Sequence, residues 1–241
     1  MVITKYTVKA SIQNNIKFAV VSDLHGCAYT PALDAIKGMD PDAILIPGDV
    51  IHDDDNYKNG IELLKQCAGI YPTFVSLGNH EFKMSCDPIA LLRETGVCIL
   101  DNERTEFMGI KIGGLTSGYT KGKKQSLFGA TPPPNTEWID AFSKEEGYKV
   151  LLCHHPEYYA PYIKNKNIDL ILSGHAHGGQ WRFFGRGLLA PGQGIFPKYT
   201  GGMHDGRLIV SRGVGNPHLI PRINNKPEII LLSIERKENN E

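Results

Sequence analysis

Five short clusters in this chain gather residue types able to bind metal: Asp23-Leu24-His25, Gly48-Asp49, Gly78-Asn79-His80, His154-His155 and Gly174-His175-Ala176-His177. Their side chains are carboxylates, an amide and imidazoles, with no thiolate among them. Such a set suits manganese, iron, zinc or cobalt better than a soft metal or a calcium cage. The donors also exceed what one first-row ion uses while keeping an open position, so two divalent ions are expected. Asp49 is the natural bridge, because a carboxylate can give one oxygen to each ion. Two ions roughly 3.5 to 4 Å apart activate a shared water at neutral pH and stabilise the entering and leaving oxygens of an in-line displacement. The protein then need not supply a nucleophile.

Each cluster follows directly on a short apolar or β-branched run, at 18–21, 43–46, 74–77, 150–153 and 168–172. Runs of this kind read as buried strands. Helix-compatible stretches at 31–37, 58–67 and 88–94 separate the early ones, and repeated strand-helix units imply a parallel sheet. Ligands in open α/β sheets collect beyond the carboxyl ends of the strands, so the spacing predicts that all five clusters converge on one rim.

The pattern changes at 98–116, where Phe107-Met108-Gly109-Ile110-Lys111 predicts a hairpin about a Gly turn and the start of a second, more antiparallel sheet. Residues 117–137, with Pro132-Pro133-Pro134, read as a long surface loop. After His177 the chain is rich in Gly and Pro up to Gly206. Strands are then expected at 208–214 and 228–234, followed by a polar tail at 236–241.

With 241 residues, 41% of them hydrophobic, the chain is long enough for one large core, and a single domain over 1–241 is expected. Lys plus Arg balances Asp plus Glu at 26 each, which argues against a long nucleic acid as partner. No stretch approaches the roughly 20 apolar residues that span a bilayer, and the expected location is the cytoplasm. The five cysteines form no CxxC pair and read as reduced thiols, with Cys153 as a small hydrophobe ending a buried strand.

The ordered series DxH, GD, GNH, strand-ending His and GHxH resembles the calcineurin-like metallophosphoesterases. The likeness continues through Gly178-Gly179-Gln180, Ala190-Pro191-Gly192-Gln193-Gly194 and Pro197-Lys198-Tyr199, as in a bacterial branch of that family with GHxHGGQ and APGQG/PKY motifs. The resemblance implies a two-sheet β-sandwich flanked by helices, in four layers α/β/β/α. It implies that Asp23, His25, Asp49 and His177 hold one ion, and that Asp49, Asn79, His154 and His175 hold the other, with manganese first among the candidate metals. His154 is chosen over His155 because in HxP-type family motifs the ligand comes first. His80, next to a ligand, takes the place of the acid or charge stabiliser for the leaving group, and Asp23 and Glu81 are candidates for orienting a neighbouring His. The implied partner is a small phosphorylated substrate, either an ester or a pyrophosphate.

His52 departs from the family pattern, in which Asp often stands three positions after the motif Asp. The run Asp53-Asp54-Asp55 reads as a solvated loop. Arg182, Lys198, Tyr199, Arg212 and His218 are candidates to meet substrate, and Lys121, Lys123 and Lys124 could form a lid. Two other readings differ in class: a metal-dependent nuclease, which needs a basic groove, and a non-catalytic scaffold, which would normally have lost ligands.

Overall fold

In a computed structural model, residues 1–120, 129–216 and 221–237 are described. They form two six-stranded mixed sheets packed face to face. The first has the order β1 (Val2–Ala10), β16 (Glu228–Arg236), β2 (Ile16–Val20), β3 (Ala43–Ile46), β4 (Thr73–Ser76), β5 (Cys98–Leu100). All neighbours in it are parallel except β16 and β2. The second has the order β14 (Gly202–His204), β15 (Leu208–Val210), β9 (Leu170–Ser173), β8 (Tyr148–Cys153), β7 (Ile110–Leu115), β6 (Glu103–Phe107).

Side-chain alternation builds the layers. In β2, Phe18 and Val20 face the other sheet, where they meet Ile112, Val150, Leu152 and Leu172. Ala19 and Val21 face outward onto the apolar stripes of α1 (Thr30–Met39) and α2 (Lys58–Ala68), through Leu33, Ile36, Leu63 and Leu64. On the far side, Leu151, Cys153 and Ile171 pack against Ile139 and Phe142 of α4 (Thr136–Ser143) and against Tyr158 and Tyr159. Helix, sheet, sheet and helix therefore stack as the resemblance implied. Cys153 is fully buried at the end of β8, as a small hydrophobe should be.

Several expectations need correction. The second sheet is the more antiparallel of the two, as expected, with antiparallel pairs at both edges, where β6 meets β7 and β14 meets β15, but its centre is parallel. The hairpin at Met108-Gly109 is present, with φ of 50° and 78° at the two turn residues. The strand expected over 208–214 stops at Val210. The next residues cross to the end of β2, where Val214 N–H donates to Ser22 O at 3.0 Å and Gly215 N–H to Asp23 O at 2.7 Å. Strand β1 is not among the expected strands; it is an edge strand, half-buried on one face. The Gly- and Pro-rich stretch after His177 forms two ribbons, β10 (Arg182–Phe183) with β11 (Arg186–Gly187) and β12 (Leu189–Ala190) with β13 (Gly194–Ile195). In the loop expected at 117–137, α4 begins at Thr136, α3 (Pro88–Arg93) lies well upstream, and Lys121, Lys123 and Lys124 fall outside the described residues.

Candidate metal centre

Strands β2, β3 and β4 run parallel, as do β8 and β9, so each sheet presents its carboxyl ends at one edge. All five clusters emerge there. Asp23, His25, Asp49, Asn79, His80, His154, His175 and His177 are buried, none more than 7% exposed. This rim has an unusual backbone: Asp23, His25, Asp49, His175 and His177 all adopt left-handed φ, between 45° and 67°. That region is sparsely populated by residues other than Gly, though Asp and His enter it more readily than most.

Among the described residues four groups of donors lie close enough to hold an ion: His25, His52 and His80 form one, His155, Glu157 and His175 another, and the expected His and Asp ligands fall in the remaining two. Ligand atoms of Asp23, His25 and His177 lie within 4.8 Å of one another, as do those of Asp49, His154 and His175. In the first group His25 Nε2 and His177 Nε2 are 3.1 Å apart, and Asp23 Oδ1 is 3.6 Å and 3.7 Å from them. In the second, His154 Nε2 is 3.0 Å from Asp49 Oδ2 and 3.1 Å from His175 Nδ1. Asp49 Oδ2 also lies 3.6 Å from His25 Nε2, so this carboxylate joins the two groups. Asn79 is buried between Gly78 and His80, whose N–H donates to Asp49 Oδ1 at 2.8 Å.

The donor set fits divalent cations. Buried imidazole nitrogens converge with carboxylate oxygens, an arrangement that calls for a shared positive charge. Small residues leave room for it: a Cβ on Gly78 would sit 2.2 Å from Asp49 Oδ1, and one on Gly174 2.4 Å from Asp23 Oδ2. The electrostatics agree. Burial opposes ionisation of Asp49, but the neighbouring His154 outweighs it and holds the carboxyl well below its ordinary range. Burial likewise disfavours the His154 imidazolium, yet Asp49 prevails and raises it to about 9.

Glu81 acts differently from the expectation. Its carboxylate touches no imidazole; it accepts backbone N–H groups from Gly78 (2.8 Å), Val50 (2.9 Å), Asp49 (3.0 Å) and Ile51 (3.3 Å), tying the GD and GNH turns together. Asp23, in turn, accepts the His175 N–H at 3.0 Å and so links the two sheets. His155 points away from Asp49 and bonds to Ser117 Oγ at 2.7 Å.

Residues beyond the motifs complete the surroundings. Glu157 Oε1 lies 3.6 Å from His175 Nε2, 3.3 Å from His155 Nδ1 and 2.6 Å from Thr131 Oγ1. Arg222 donates to the Arg212 carbonyl at 2.7 Å and to the Gly215 carbonyl, with Nη2 3.4 Å from His177 Nδ1. His52 Nδ1 is 3.2 Å from His25 Nδ1, and its ring stacks on His80 with centroids 4.4 Å apart. Lys83 Nζ is 2.7 Å from His80 Nε2. Only His52 carried a sequence signal, as a departure from the family pattern. Glu157, Lys83 and Arg222 stand in no motif and reach the site through space.

Among the residues expected to meet substrate, Arg212 is held by Glu228, with Nε and Nη2 each 3.0 Å from its oxygens, and Arg182 donates to the Gly178 carbonyl at 2.9 Å. Tyr199 is buried and Lys198 is exposed, while His218 lies outside the described residues. Asp53 reads correctly as a loop residue: its Oδ1 accepts from Asp55 N, Asn56 N and Asn56 Nδ2.

The chain is similar to known proteins. Residues 16–179 match the family model for the calcineurin-like phosphoesterases. The phosphodiesterase YaeI of Escherichia coli is 28% identical over 244 residues, covering 90% of this chain and 82% of that protein. An uncharacterized metallophosphoesterase of Aquifex aeolicus is 28% identical, with 98% of this chain and 93% of that one covered. The uncharacterized metallophosphoesterase Cj0846 of Campylobacter jejuni is also 28% identical over 95% of this chain, which spans 61% of the Campylobacter protein's length.

Proposed function

Because the chain belongs to the calcineurin-like phosphoesterase family, we propose that it is a dinuclear metal-dependent phosphoesterase acting on a small phosphate ester or pyrophosphate. The observation that carries this reading is the pair of buried His and Asp groups joined through Asp49. In the proposal Asp23, His25, Asp49 and His177 hold one divalent ion and Asp49, Asn79, His154 and His175 the other, manganese first, with iron, zinc or cobalt as substitutes. When bound, such a pair supplies an activated water and the charge that orients and stabilises a phosphoryl group.

The chain's own residues have separate tasks. Asp49 sets the relative position of the two donor groups, and Glu81 fixes the turn that carries it. His80 faces the leaving group. Its Nδ1 lies 3.2 Å from the His52 carbonyl, an acceptor, so the ring proton belongs on Nδ1 and Nε2 receives the Lys83 ammonium. Burial first, joined by the Lys83 ammonium and outweighing the opposite pull of Asp49, lowers the His80 pKa well below its ordinary value and holds the ring neutral. The Lys83–His80 pair therefore offers a departing oxygen both positive charge and an exchangeable proton. Strands β1 and β16, from opposite ends of the sequence, close the same sheet as β2, which supports reading 1–241 as one domain.

The test is hydrolysis of a chromogenic aryl phosphate and an aryl phosphodiester by the manganese-loaded protein. Activity on either, removed by a chelator and restored by metal, is expected; silence on both with every candidate metal would overturn the proposal.

A further inference from the structure

The rim's neighbour, the segment of two ribbons after His177, has a surface unlike the rest of the molecule. Phe184 is fully exposed, Phe196 78%, Ile195 54%, Phe183 50% and nearby Ile223 40%. The other large hydrophobics exposed among the described residues are Met1, Ile3, Ile70 and Met108, which belong to other elements. Phe184 sits in the turn joining β10 to β11, and Ile195 ends β13 with Phe196 next to it. The two tips share one cleft of about 510 Å³, lined by Gly185, Arg186, Phe196, Lys198, Gly201 and His204. A clustered, solvent-facing apolar patch of this kind marks a contact surface.

Charge indicates the partner. The chain as a whole is balanced, but from Leu170 to His204 it has no Asp or Glu, and its cations include the exposed Arg186 and Lys198 beside the apolar tips. Aromatic tips flanked by Arg and Lys match the boundary of an anionic bilayer, where rings enter the headgroup level and cations meet lipid phosphates. A protein partner adding a strand would find ribbons of only two residues per strand, too short for much backbone pairing. A nucleic acid would need a longer basic track than two exposed cations provide.

We infer that the β10–β13 ribbons dock this protein peripherally on an anionic lipid bilayer through Phe184, Ile195 and Phe196, with Arg186 and Lys198 facing the phosphates. The ribbons are fixed to the metal rim: a Cβ on Gly179 would meet Gly187 Cα at 2.3 Å, and Leu188 N–H donates to Gly179 O at 3.0 Å. Docking therefore holds the site beside the membrane surface.

The test is co-sedimentation of the full chain with vesicles of phosphatidylcholine, with or without phosphatidylglycerol. Pelleting with the anionic vesicles is expected, weak with the neutral ones and reduced by added salt. Replacing Phe184→Ser and Phe196→Ser together lowers partitioning by about tenfold per ring, and Arg186→Glu lowers it further, while circular dichroism and aryl phosphate hydrolysis stay at wild-type values. A wild-type chain that remains in the supernatant overturns the proposal, as does a double variant that pellets unchanged. So does either competing result: a dimer abolished by the double variant, or capture of a single-stranded oligonucleotide, without vesicle binding.

Discussion

The two halves of the rim are built by different means. On the first sheet, Asp49, Asn79 and His80 sit on turns whose backbone N–H groups converge on one buried carboxylate, that of Glu81. On the second sheet, side chains hold side chains: Glu157 stands behind His175, and Arg222 beside His177. A frame of backbone bonds to one carboxylate sets where the first turns lie; on the second sheet ring orientation is set by side chains, with Arg222 and Asn225 holding a few main-chain carbonyls besides. Damage to the first should therefore be felt as lost fold, and damage to the second as lost metal affinity.

The largest effect is expected at the seam. Asp49→Ala removes the carboxylate that joins the two donor groups, and turnover of an aryl phosphate should fall by on the order of 10³-fold or more, beyond the loss of a single electrostatic donor. A variant retaining a tenth of the wild-type rate would show that the two donor groups work independently. Next comes Glu81→Ala. Four buried N–H groups lose their acceptor at ~1–3 kcal/mol each, partly recovered by water, so a loss of about 3 to 5 kcal/mol and a melting temperature lower by ~10 °C are expected. Unchanged melting would place the strength of the first half elsewhere.

The matching change on the second sheet, Glu157→Gln, should leave melting almost untouched yet weaken metal binding by ~10- to 100-fold, read by metal titration. If it unfolds the protein instead, the contrast between the halves fails. The smallest effect is expected at His52, which only supports rings. His52→Ala should cost at most ~10-fold in activity, the low end for a group behind a ligand, and His52→Asp, offering His25 a carboxylate, should recover most of it.

Much of this was legible before any fold was drawn. Ala43–Ile46 reads as a strand because four buried aliphatic residues precede Pro47-Gly48, and the carboxyl-end rule then brings Asp49 to the rim. What stayed hidden has physical causes. Strand β1 does alternate Lys5, Thr7 and Lys9 with half-buried Tyr6 and Val8, a period-two pattern that reads as a strand; what the sequence hides is its partner β16, from the opposite end of the chain. Glu81 reads from its neighbours as a side-chain partner for histidine; that it serves backbone amides depends on the meeting of two turns some thirty residues apart. Glu157, Lys83 and Arg222 have no spacing to betray them, since their roles exist only in three dimensions.

The left-handed backbone at Asp23, His25, Asp49, His175 and His177 has a practical consequence for anyone engineering this protein. Each of these residues occupies a conformation that Gly adopts more cheaply, and each places charge or imidazole in a crowded interior. A library selected on heat resistance alone will drift towards Gly at these sites and return hardy, inert proteins. Selection should therefore hold those five codons fixed or score turnover alongside melting.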